Sequence, residues 1–291
     1  MRCPAKVNLG LWILRRRGDG YHDVDTILQA INLEDELILE RVGAPGLELT
    51  TRGRAIPGPG PNLIERAWSL VAERAKESGA SGVRATLTKR IPIGAGLGGG
   101  SSDAAGFLAG VDRLLSLGIA EPELKSLGSS LGADVPFFFR GGTARGTGRG
   151  DQLRQLCPTM PFWVVLASPP LAISTSWAYG QVKNDLTPGG EAGTLLASAV
   201  SSQGWEDIVG ALHNVFEDVV LPNFPSLAML KRAMHESGAQ KVLLSGSGST
   251  LFCVVRSRDD ALAVAKGIAG SGAEVRLART LERGVTVAPL A

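Results

Sequence analysis

The chain has 291 residues, of which 44% are hydrophobic and 20% are charged. This balance is typical of a globular protein and excludes a disordered chain, and the length suits two domains of ordinary size. The formal net charge of +2 lacks the strong basic excess of nucleic-acid-binding proteins, and no apolar run approaches a membrane span. We therefore expect a protein with no nucleic-acid partner and no membrane partner.

The three cysteines, Cys3, Cys157 and Cys253, are scattered and form no C-x-x-C pair. This spacing predicts neither a disulfide framework nor a zinc site. Unpaired thiols and the lack of a signal peptide before Pro4 indicate a cytoplasmic protein. Cys253 lies in an apolar run and is expected to be a core residue of a strand.

The first half of the chain is rich in predicted strands. Apolar and alternating stretches predict strands, antiparallel where they alternate, at residues 7–14, 26–33, 36–40 and 47–50. Residues 57–61 have the composition of a loop. A helix is expected from Asn62, with an apolar face made of Leu63, Ala67, Leu70, Val71 and Ala75. This mixture favours an α+β fold over strict βαβ alternation.

A glycine-rich loop, residues 92–105 (PIGAGLGGGSSDAA), is the most informative segment. Val83, Ala85 and Leu87 alternate with polar residues before it, which predicts a strand. After the glycines, the segment 101–103 has residue types that cap helices. The buried face of that helix is expected to hold Ala104, Phe107, Leu108, Val111 and Leu114.

Free backbone N–H groups in a glycine loop and the dipole of the helix that follows both favour a bound phosphate. Gly94, Gly96 and Gly99 also satisfy the G-x-G-x-x-G pattern of dinucleotide-binding proteins, but no second strand with an acidic end follows at the required distance. A Walker loop is excluded because no Lys-Ser or Lys-Thr follows the glycines. The remaining alternative is a flexible surface loop without a ligand.

A domain boundary is expected near Cys157-Pro158, after a second glycine cluster at residues 141–151. The second half opens with a predicted strand at 162–166. Further helices are predicted at 174–183, 195–201, 205–214, 225–236 and 259–270, and further strands at 241–245, 251–255 and 273–277.

Three segments of the chain resemble the three motifs of the GHMP family of small-molecule kinases. They are residues 4–9 (PAKVNL), the glycine loop, and residues 244–250 (LSGSGST), in the order of that family. The resemblance implies an α+β, two-lobed fold. It places the active site between an N-terminal ATP-binding lobe, residues 1–157, and a C-terminal lobe, residues 158–291.

Residues 17–22 (RGDGYH) and 132–138 (GADVPFF) resemble one branch of the family. That branch transfers the γ-phosphoryl of ATP to the 2-hydroxyl of a methylerythritol that carries cytidine diphosphate, on the non-mevalonate route to isoprenoid precursors. The implied activity is a phosphotransferase with an alcohol acceptor. Other kinases of the family, of the homoserine or mevalonate type, and a non-catalytic nucleotide-binding regulator are the alternatives.

Lys6 and Asp134 are the expected catalytic pair. The Asp134 carboxylate can accept the proton of the attacking hydroxyl, and the Lys6 ammonium can keep that carboxylate ionised. By residue type alone, Asp134 before Val-Pro could equally be a helix cap, and a lysine near the terminus could point to solvent. The resemblance favours the catalytic roles.

The resemblance also implies the ligand contacts. Tyr21 and His22 suit recognition of a pyrimidine, by stacking and by a hydrogen bond to its edge. The other expected substrate residues are Asn8, Thr175 and Tyr179, with Trp177 as the alternative to Tyr179. The expected ATP contacts are Pro92, Ile93, Gly94, Ala95, Gly96, Leu97, Gly98, Gly99, Gly100, Ser101, Ser102, Asn62 and Lys89.

ATP is thus the expected co-substrate, and Mg²⁺ is expected with it. No acidic cluster in the sequence identifies protein ligands for the metal, although the hydroxyl of Ser101 or Ser102 could supply one oxygen. The arginine run at residues 15–17 is expected to be a solvated loop, and a minor role near an anionic ligand stays open. The sequence does not decide whether the protein is a monomer or a homodimer.

Overall fold

A computed structural model describes residues 1–55, 62–77, 79, 82–182 and 191–288 of the chain. The predicted loop at 57–61 lies outside the described residues, as does Lys183, the last residue of one predicted helix. Helices and strands alternate irregularly and form two sheets with helices packed against them. This arrangement confirms the expected α+β class.

The larger sheet has seven strands within the described residues. They are β1 (Arg2–Arg16), β2 (His22–Val42), β3 (Gly46–Gly53), β4 (Gly82–Lys89), β5 (Thr143–Thr147), β6 (Gln152–Gln155) and β8 (His213–Asn214). Their order is β3-β4-β2-β1-β8, and β5 pairs with β2 and with β6. β1 and β2 form a long antiparallel pair, which gives the lobe its central framework.

Two predictions about this sheet are wrong. The stretches at 26–33 and 36–40 belong to one strand, β2, because Glu34 and Asp35 stay paired with β1 and no turn separates them. β3 is parallel to its neighbour β4 rather than antiparallel, because a helix crosses over between them. Alternation of side chains reports which face is buried and carries no information on strand direction.

The smaller sheet has four strands within the described residues, in the order β11-β7-β10-β9. They are β7 (Trp163–Ser168), β9 (Val242–Leu244), β10 (Leu251–Val255) and β11 (Glu274–Arg279). All adjacent pairs are antiparallel. Cys253 is fully buried in β10, which confirms it as a core strand residue.

The helices of the first half are α1 (Leu63–Glu77), α2 (Gly99–Leu115), α3 (Glu121–Leu131) and α4 (Val135–Arg140). Those of the second half are α5 (Thr175–Gln181), α6 (Glu191–Ser202), α7 (Trp205–Ala211), α8 (Glu217–Asn223), α9 (Pro225–Glu236) and α10 (Arg258–Gly267). The sequence missed α3, α4 and α8. It also placed Leu70 on the apolar face of α1, whereas Leu70 is 39% exposed.

The predicted start of α2 is wrong by two residues. The helix begins at Gly99, and its N-cap is Gly98 at φ +70°, a conformation that glycine adopts without steric cost. Ser102 and Asp103 lie inside the helix and are buried. The N-cap of α2 therefore makes no side-chain capping hydrogen bond.

One apolar cluster joins the two sheets. It contains Val7 and Ile31 from the larger sheet, Val164 and Leu166 from the smaller sheet, and Trp205 from α7. β8 reaches from the second half of the chain to pair with β1. The two lobes therefore share a core, and the cleft between them is bounded by packed elements. Among the described helices, none combines the length and apolar composition that crossing a membrane requires.

Candidate active site

Two cavities lie side by side in this cleft. The loop cavity, about 430 Å³, is lined by Asn62, Leu63, Ile64, Arg66, Leu87, Lys89, residues 92–101 and Asp103. The central cavity is larger, about 970 Å³, and side chains from both halves of the chain line it. Its lining includes Lys6, Asn8, Tyr21, His22, Asp134, Thr175 and Tyr179. The structure thus brings the predicted site residues to two adjoining spaces.

The glycine loop has a conformation that needs glycine. Gly94, Gly96 and Gly98 have φ values of +65°, +80° and +70°. A Cβ on Gly96 would lie 1.9 Å from the backbone oxygen of Ser245, so this glycine also permits a close backbone approach. The loop can therefore turn its backbone toward the cavity only with glycine at these positions.

The segment 244–250 forms hydrogen bonds with the glycine loop. The hydroxyl of Ser245 donates to the Gly96 carbonyl at 2.9 Å, and the Thr250 N–H donates to the Ala95 carbonyl at 3.2 Å. Asn214 in turn donates to the carbonyls of Leu244 and Gly246, both at 2.8 Å. These contacts bring the third motif against the second.

Ser101 and Ser102 differ in what they face. Ser101 lines both cavities. Ser102 is fully buried, lines neither cavity, and its hydroxyl has no hydrogen-bond partner among the described residues. The expectation that both serines face a nucleotide is corrected accordingly, because one residue along a helix turns the side chain by about 100°.

Asn62 lines the loop cavity and also caps α1. Its side-chain oxygen accepts from the N–H groups of Ile64 at 2.8 Å and Glu65 at 3.1 Å. The Glu65 carboxylate accepts from the Asn62 N–H at 2.7 Å, which completes a capping box. The amide oxygen of Asn62 is thus engaged, and its NH₂ group is the part that could meet a ligand.

Lys89 lines the loop cavity but is buried in a triad with two carboxylates. Its ammonium donates to Asp35 and, at 2.7 Å, to Asp103. Burial disfavours the charge on Lys89, yet attraction to Asp103 and Asp35 prevails and raises its pKa. Burial, helped by the neighbouring Asp35, raises the pKa of Asp103 to about 7. What Lys89 offers a nucleotide is therefore chiefly its alkyl stem.

Lys6 is buried in β1, and its ammonium points into the central cavity. It donates to the side-chain oxygen of Asn8 at 2.6 Å and lies 3.6 Å from the Asp134 carboxylate. Asn8 donates to the Thr26 hydroxyl at 2.8 Å, which donates to the Gly10 carbonyl at 2.7 Å. This chain of hydrogen bonds fixes the Asn8 amide so that its oxygen faces Lys6.

Asp134 precedes α4, at the N-cap position, but its side chain makes no capping hydrogen bond. The side chain is 38% exposed and lines the central cavity beside Lys6. The simple helix-cap interpretation therefore lacks its defining contact. A carboxylate that is ion-paired on one side and open to a cavity on the other can accept a proton from a bound hydroxyl.

Aromatic rings also line the central cavity. The His22 and Tyr179 rings stack with centroids 5.1 Å apart and planes 27° apart, and Phe216 packs edge-on against Tyr179. Tyr21 is 59% exposed. Trp177 packs against Phe224 and does not line the cavity. Of the two aromatic residues left open by the sequence, the structure places Tyr179 at the cavity.

Burial and the nearby positive charge of Arg16 lower the pKa of His22 below its ordinary value of 6.5. Burial and the negative charge of Asp134 raise the pKa of Tyr179 to about 12. Both rings are therefore neutral at pH 7 and can accept or donate hydrogen bonds without a charge. Such groups suit the polar edge of a base.

Thr175 begins α5 and lines the central cavity. Its hydroxyl lies 3.0 Å from the hydroxyl of Ser247, in the third motif. Ser174 caps the helix by accepting from the Trp177 N–H at 3.3 Å. The cap fixes the first turn of α5, so Thr175 is presented to the cavity.

Several cavity residues were missed from the sequence: Thr26, Arg66, Arg149 and Ser247. No sequence pattern marked Thr26, because it lies on β2 and its partner Asn8 lies on β1. Arg149 lies in the second glycine cluster, which the sequence used only to place a domain boundary. Its guanidinium is 5.4 Å from the Tyr21 ring centroid and pairs with Asp151 at 2.7 Å. Arg66 looks like any exposed arginine on a helix.

The described residues contain no group of three or more His, Cys, Asp or Glu side chains that could hold a metal ion. Ser101 supplies a hydroxyl at the wall that the two cavities share. Mg²⁺ usually binds with nucleotides through the phosphates, one or two protein oxygens and water, so the expected Mg²⁺ stays a prediction.

Two family models match the chain. Residues 62–142 match the model described as GHMP kinases N terminal domain, and residues 196–273 match the model described as GHMP kinases C terminal. The first match contains the glycine loop and Asp134, and the second contains the segment 244–250. The two matches together cover more than half of the chain.

Curated relatives match from end to end. The 4-diphosphocytidyl-2-C-methyl-D-erythritol kinase of Pelobacter propionicus is 41% identical over 285 residues, which are 97% of this chain and 98% of that protein. The kinase of the same name from Bacillus subtilis is 36% identical over 269 residues, 92% of each chain.

Solved structures share the fold. A crystal structure of 4-(cytidine 5'-diphospho)-2C-methyl-D-erythritol kinase superposes with a TM-score of 0.81 at 35% identity and covers 96% of this chain and 99% of its own. The mevalonate kinase of L. major superposes with a TM-score of 0.73 at 16% identity, covering 98% and 97%. The second likeness concerns the fold alone. With two matching family models, relatives aligned almost end to end and this common fold, the chain belongs to the GHMP kinase family.

Proposed function

We propose that this chain is an ATP-dependent kinase that phosphorylates the 2-hydroxyl of 4-diphosphocytidyl-2-C-methyl-D-erythritol. The observation that carries the proposal is the position of the Lys6–Asp134 pair. It lies in the central cavity, which shares Gly96, Gly98 and Ser101 with the loop cavity. A hydroxyl bound beside Asp134 is thus next to the place where a triphosphate on the glycine loop would end.

The glycine loop would bind the ATP phosphates. Its positive-φ glycines bring backbone close to the ligand, and α2 begins at Gly99 with its dipole directed at the same space. Mg²⁺, when bound with ATP, supplies positive charge that neutralises the phosphates. The chain's own contribution is to hold the γ-phosphoryl at the wall shared with the central cavity.

The central cavity would bind the cytidine-bearing substrate. Tyr21, His22 and Tyr179 offer ring faces and neutral polar edges, which suit a pyrimidine. Thr175 and Asn8 line the same space nearer to Lys6. A volume of about 970 Å³ has room for a nucleoside diphosphate joined to a short polyol.

The chemical step needs a base for the hydroxyl proton. Asp134 would accept this proton as the 2-hydroxyl oxygen attacks the γ-phosphorus and ADP leaves. The Lys6 ammonium, fixed by its 2.6 Å hydrogen bond to Asn8, would stabilise the negative charge that develops on the attacking oxygen. Lys6 and Asp134 would therefore act as one unit.

A coupled assay of ADP release tests the proposal. The purified protein is given ATP and, in turn, 4-diphosphocytidyl-2-C-methyl-D-erythritol, homoserine, mevalonate and galactose. We expect turnover only with the first. Equal or faster turnover with another alcohol would move the chain to a different branch of the family, and no turnover with any of them would favour a non-catalytic nucleotide-binding regulator.

A further inference from the structure

One charged side chain belongs to both cavities. Gly96, Gly98, Ser101 and Arg66 line the loop cavity and the central cavity alike. The first three are the glycine loop itself and the first turn of α2, and none of them carries a charge. Arg66, on the first turn of α1, is the charged member of the shared wall.

Three of the other cations that line the cavities already have partners. Lys89 is held by Asp35 and Asp103, and Lys6 is held by Asn8 and Asp134. Arg149 pairs with Asp151. Arg16 has no such partner among the described residues, but it lines only the central cavity and not the loop cavity.

Arg66 differs from these cations because it lines both cavities. Its side chain is exposed, and within the described ranges no residue forms a hydrogen bond or an ion pair with its guanidinium. Its backbone is nevertheless fixed: its N–H donates to the Asn62 carbonyl at 3.1 Å, inside the capping box of Asn62 and Glu65. Among the described residues the guanidinium therefore has no partner, and it stands on a helical turn fixed by hydrogen bonds.

A guanidinium offers several N–H donors in one plane and matches two phosphate oxygens at once. If the proposed function is correct, a triphosphate and a diphosphate approach each other at the shared wall. Their like charges repel, and the free-energy cost of bringing them together falls when a cation lies between them. An arginine without a protein partner is the residue best suited to that place.

We propose that Arg66 binds phosphate oxygens at the wall where the two ligands meet. The structure leaves two sources for those oxygens, the ATP triphosphate and the diphosphate of the cytidine substrate. The inference rests on the proposed function for the identity of the two ligands. It adds a residue that no sequence motif marked.

The test compares three variants of the full chain: Arg66→Gln, Arg66→Lys and the control Arg74→Gln. Arg74 lies two turns further along α1, pairs with Glu123 on the surface and lines neither cavity. The measurements are kcat and both KM values in the ADP-release assay. Calorimetric titrations with ADP and with CDP, and a melting curve to confirm folding, complete the set.

We expect Arg66→Gln to lose about 10–100-fold in at least one of these quantities, the usual value of charge-assisted hydrogen bonds. A raised KM for ATP with weaker ADP binding identifies the ATP phosphates. A raised KM for the substrate with weaker CDP binding identifies its diphosphate. A lower kcat alone identifies the transferring phosphoryl group. Arg66→Lys keeps the charge without the planar donors and should lie between wild type and Arg66→Gln.

The inference is overturned if Arg66→Gln stays within about threefold of wild type in kcat, both KM values and both affinities, as Arg74→Gln should. A wild-type protein without kinase activity would instead contradict the proposed function. In that case the ADP and CDP titrations still decide whether Arg66 binds phosphate.

Discussion

The loop cavity and the central cavity are built in opposite ways. One continuous stretch of backbone, residues 92–101, makes most of the loop cavity, and its glycines place N–H groups where side chains would otherwise be. The central cavity is made of residues from β1, β2, the end of α3 and the loop after it, α5 and the segment 244–250. The first is a local structure, whereas the second exists only after the two halves of the chain have packed together.

The ionisable groups of the two cavities also differ, in how far they are buried and paired. At the loop cavity, Lys89 is held between Asp35 and Asp103 in a buried triad. At the central cavity, Asp134 is partly exposed and available to a ligand. The buried charges beside the loop therefore support the structure, whereas Arg66 at the shared wall and Asp134 in the central cavity are accessible to ligands. Variants in the two regions should consequently fail in different assays.

The largest expected effect is that of Asp134→Asn. The variant keeps the size of the side chain but cannot accept a proton, so kcat should fall by roughly 10²–10⁴-fold. Both KM values should change little, because neither ligand depends mainly on that proton. The control is Asp259→Asn, an exposed residue in the first turn of α10, which should retain full turnover. Near-full turnover of Asp134→Asn with both substrates saturating would exclude Asp134 as the base.

A double variant sharpens this result. Lys6→Met removes the charge and leaves the alkyl stem, and it should also depress kcat. If Lys6 and Asp134 act as one unit across their 3.6 Å separation, the double variant should be scarcely slower than the poorer single variant. If the fold-losses in kcat of the two single variants multiply in the double variant, the two residues act independently.

Within the glycine loop, Gly96→Ala should destabilise the protein more than Gly94→Ala. Both residues have positive φ, which costs alanine about 1–2 kcal/mol. Around Gly94 no other atom lies within 4 Å of the new methyl group, whereas at Gly96 it collides with the Ser245 carbonyl. We expect a further loss of about 1–3 kcal/mol for Gly96→Ala in the free energy of unfolding, measured in urea. Equal losses would show that segment 244–250 moves freely away from the loop.

In the central cavity, Tyr21→Ala should weaken substrate binding without affecting folding. Loss of a stacked base costs about 1–3 kcal/mol, and the Tyr21 side chain is largely exposed, so little packing is lost. The KM for the cytidine substrate should rise and the KM for ATP should stay constant. Tyr21→Phe keeps the ring and serves as the control. An equal rise in both KM values would remove Tyr21 from the pyrimidine site.

The smallest expected effect is a pH dependence from His22. Its pKa is lowered by burial and by Arg16, so the ring is neutral at pH 7 and gains a proton only as the pH falls below 6.5. The unfolded chain takes up that proton more readily, so the stability present above pH 6.5 declines as the pH falls through the lowered pKa. The KM for the cytidine substrate should rise as the pH falls below 6.5, because a protonated ring no longer accepts a hydrogen bond from the base. His22→Gln should flatten this profile, and a profile unchanged by the substitution would assign the pH dependence to another group.

The sequence by itself determined the composition of the fold, the phosphate loop and the segments that carry Lys6, Tyr21, His22 and Asp134. These features are local: glycine spacing, alternation and short motifs depend on neighbouring residues. The roles of these residues stay predictions, but their places in the two cavities follow from the structure.

Only the tertiary structure decided which residues meet. The direction of β3, the contact of Ser245 with Gly96, the choice of Tyr179 over Trp177 and the shared position of Arg66 all join residues that are distant along the chain. Nothing in a local pattern specifies such contacts, because they arise when apolar faces pack and fix the elements relative to one another. The glycine pattern that predicts a phosphate-binding backbone can therefore be found in the sequence, whereas a constellation of side chains requires the fold.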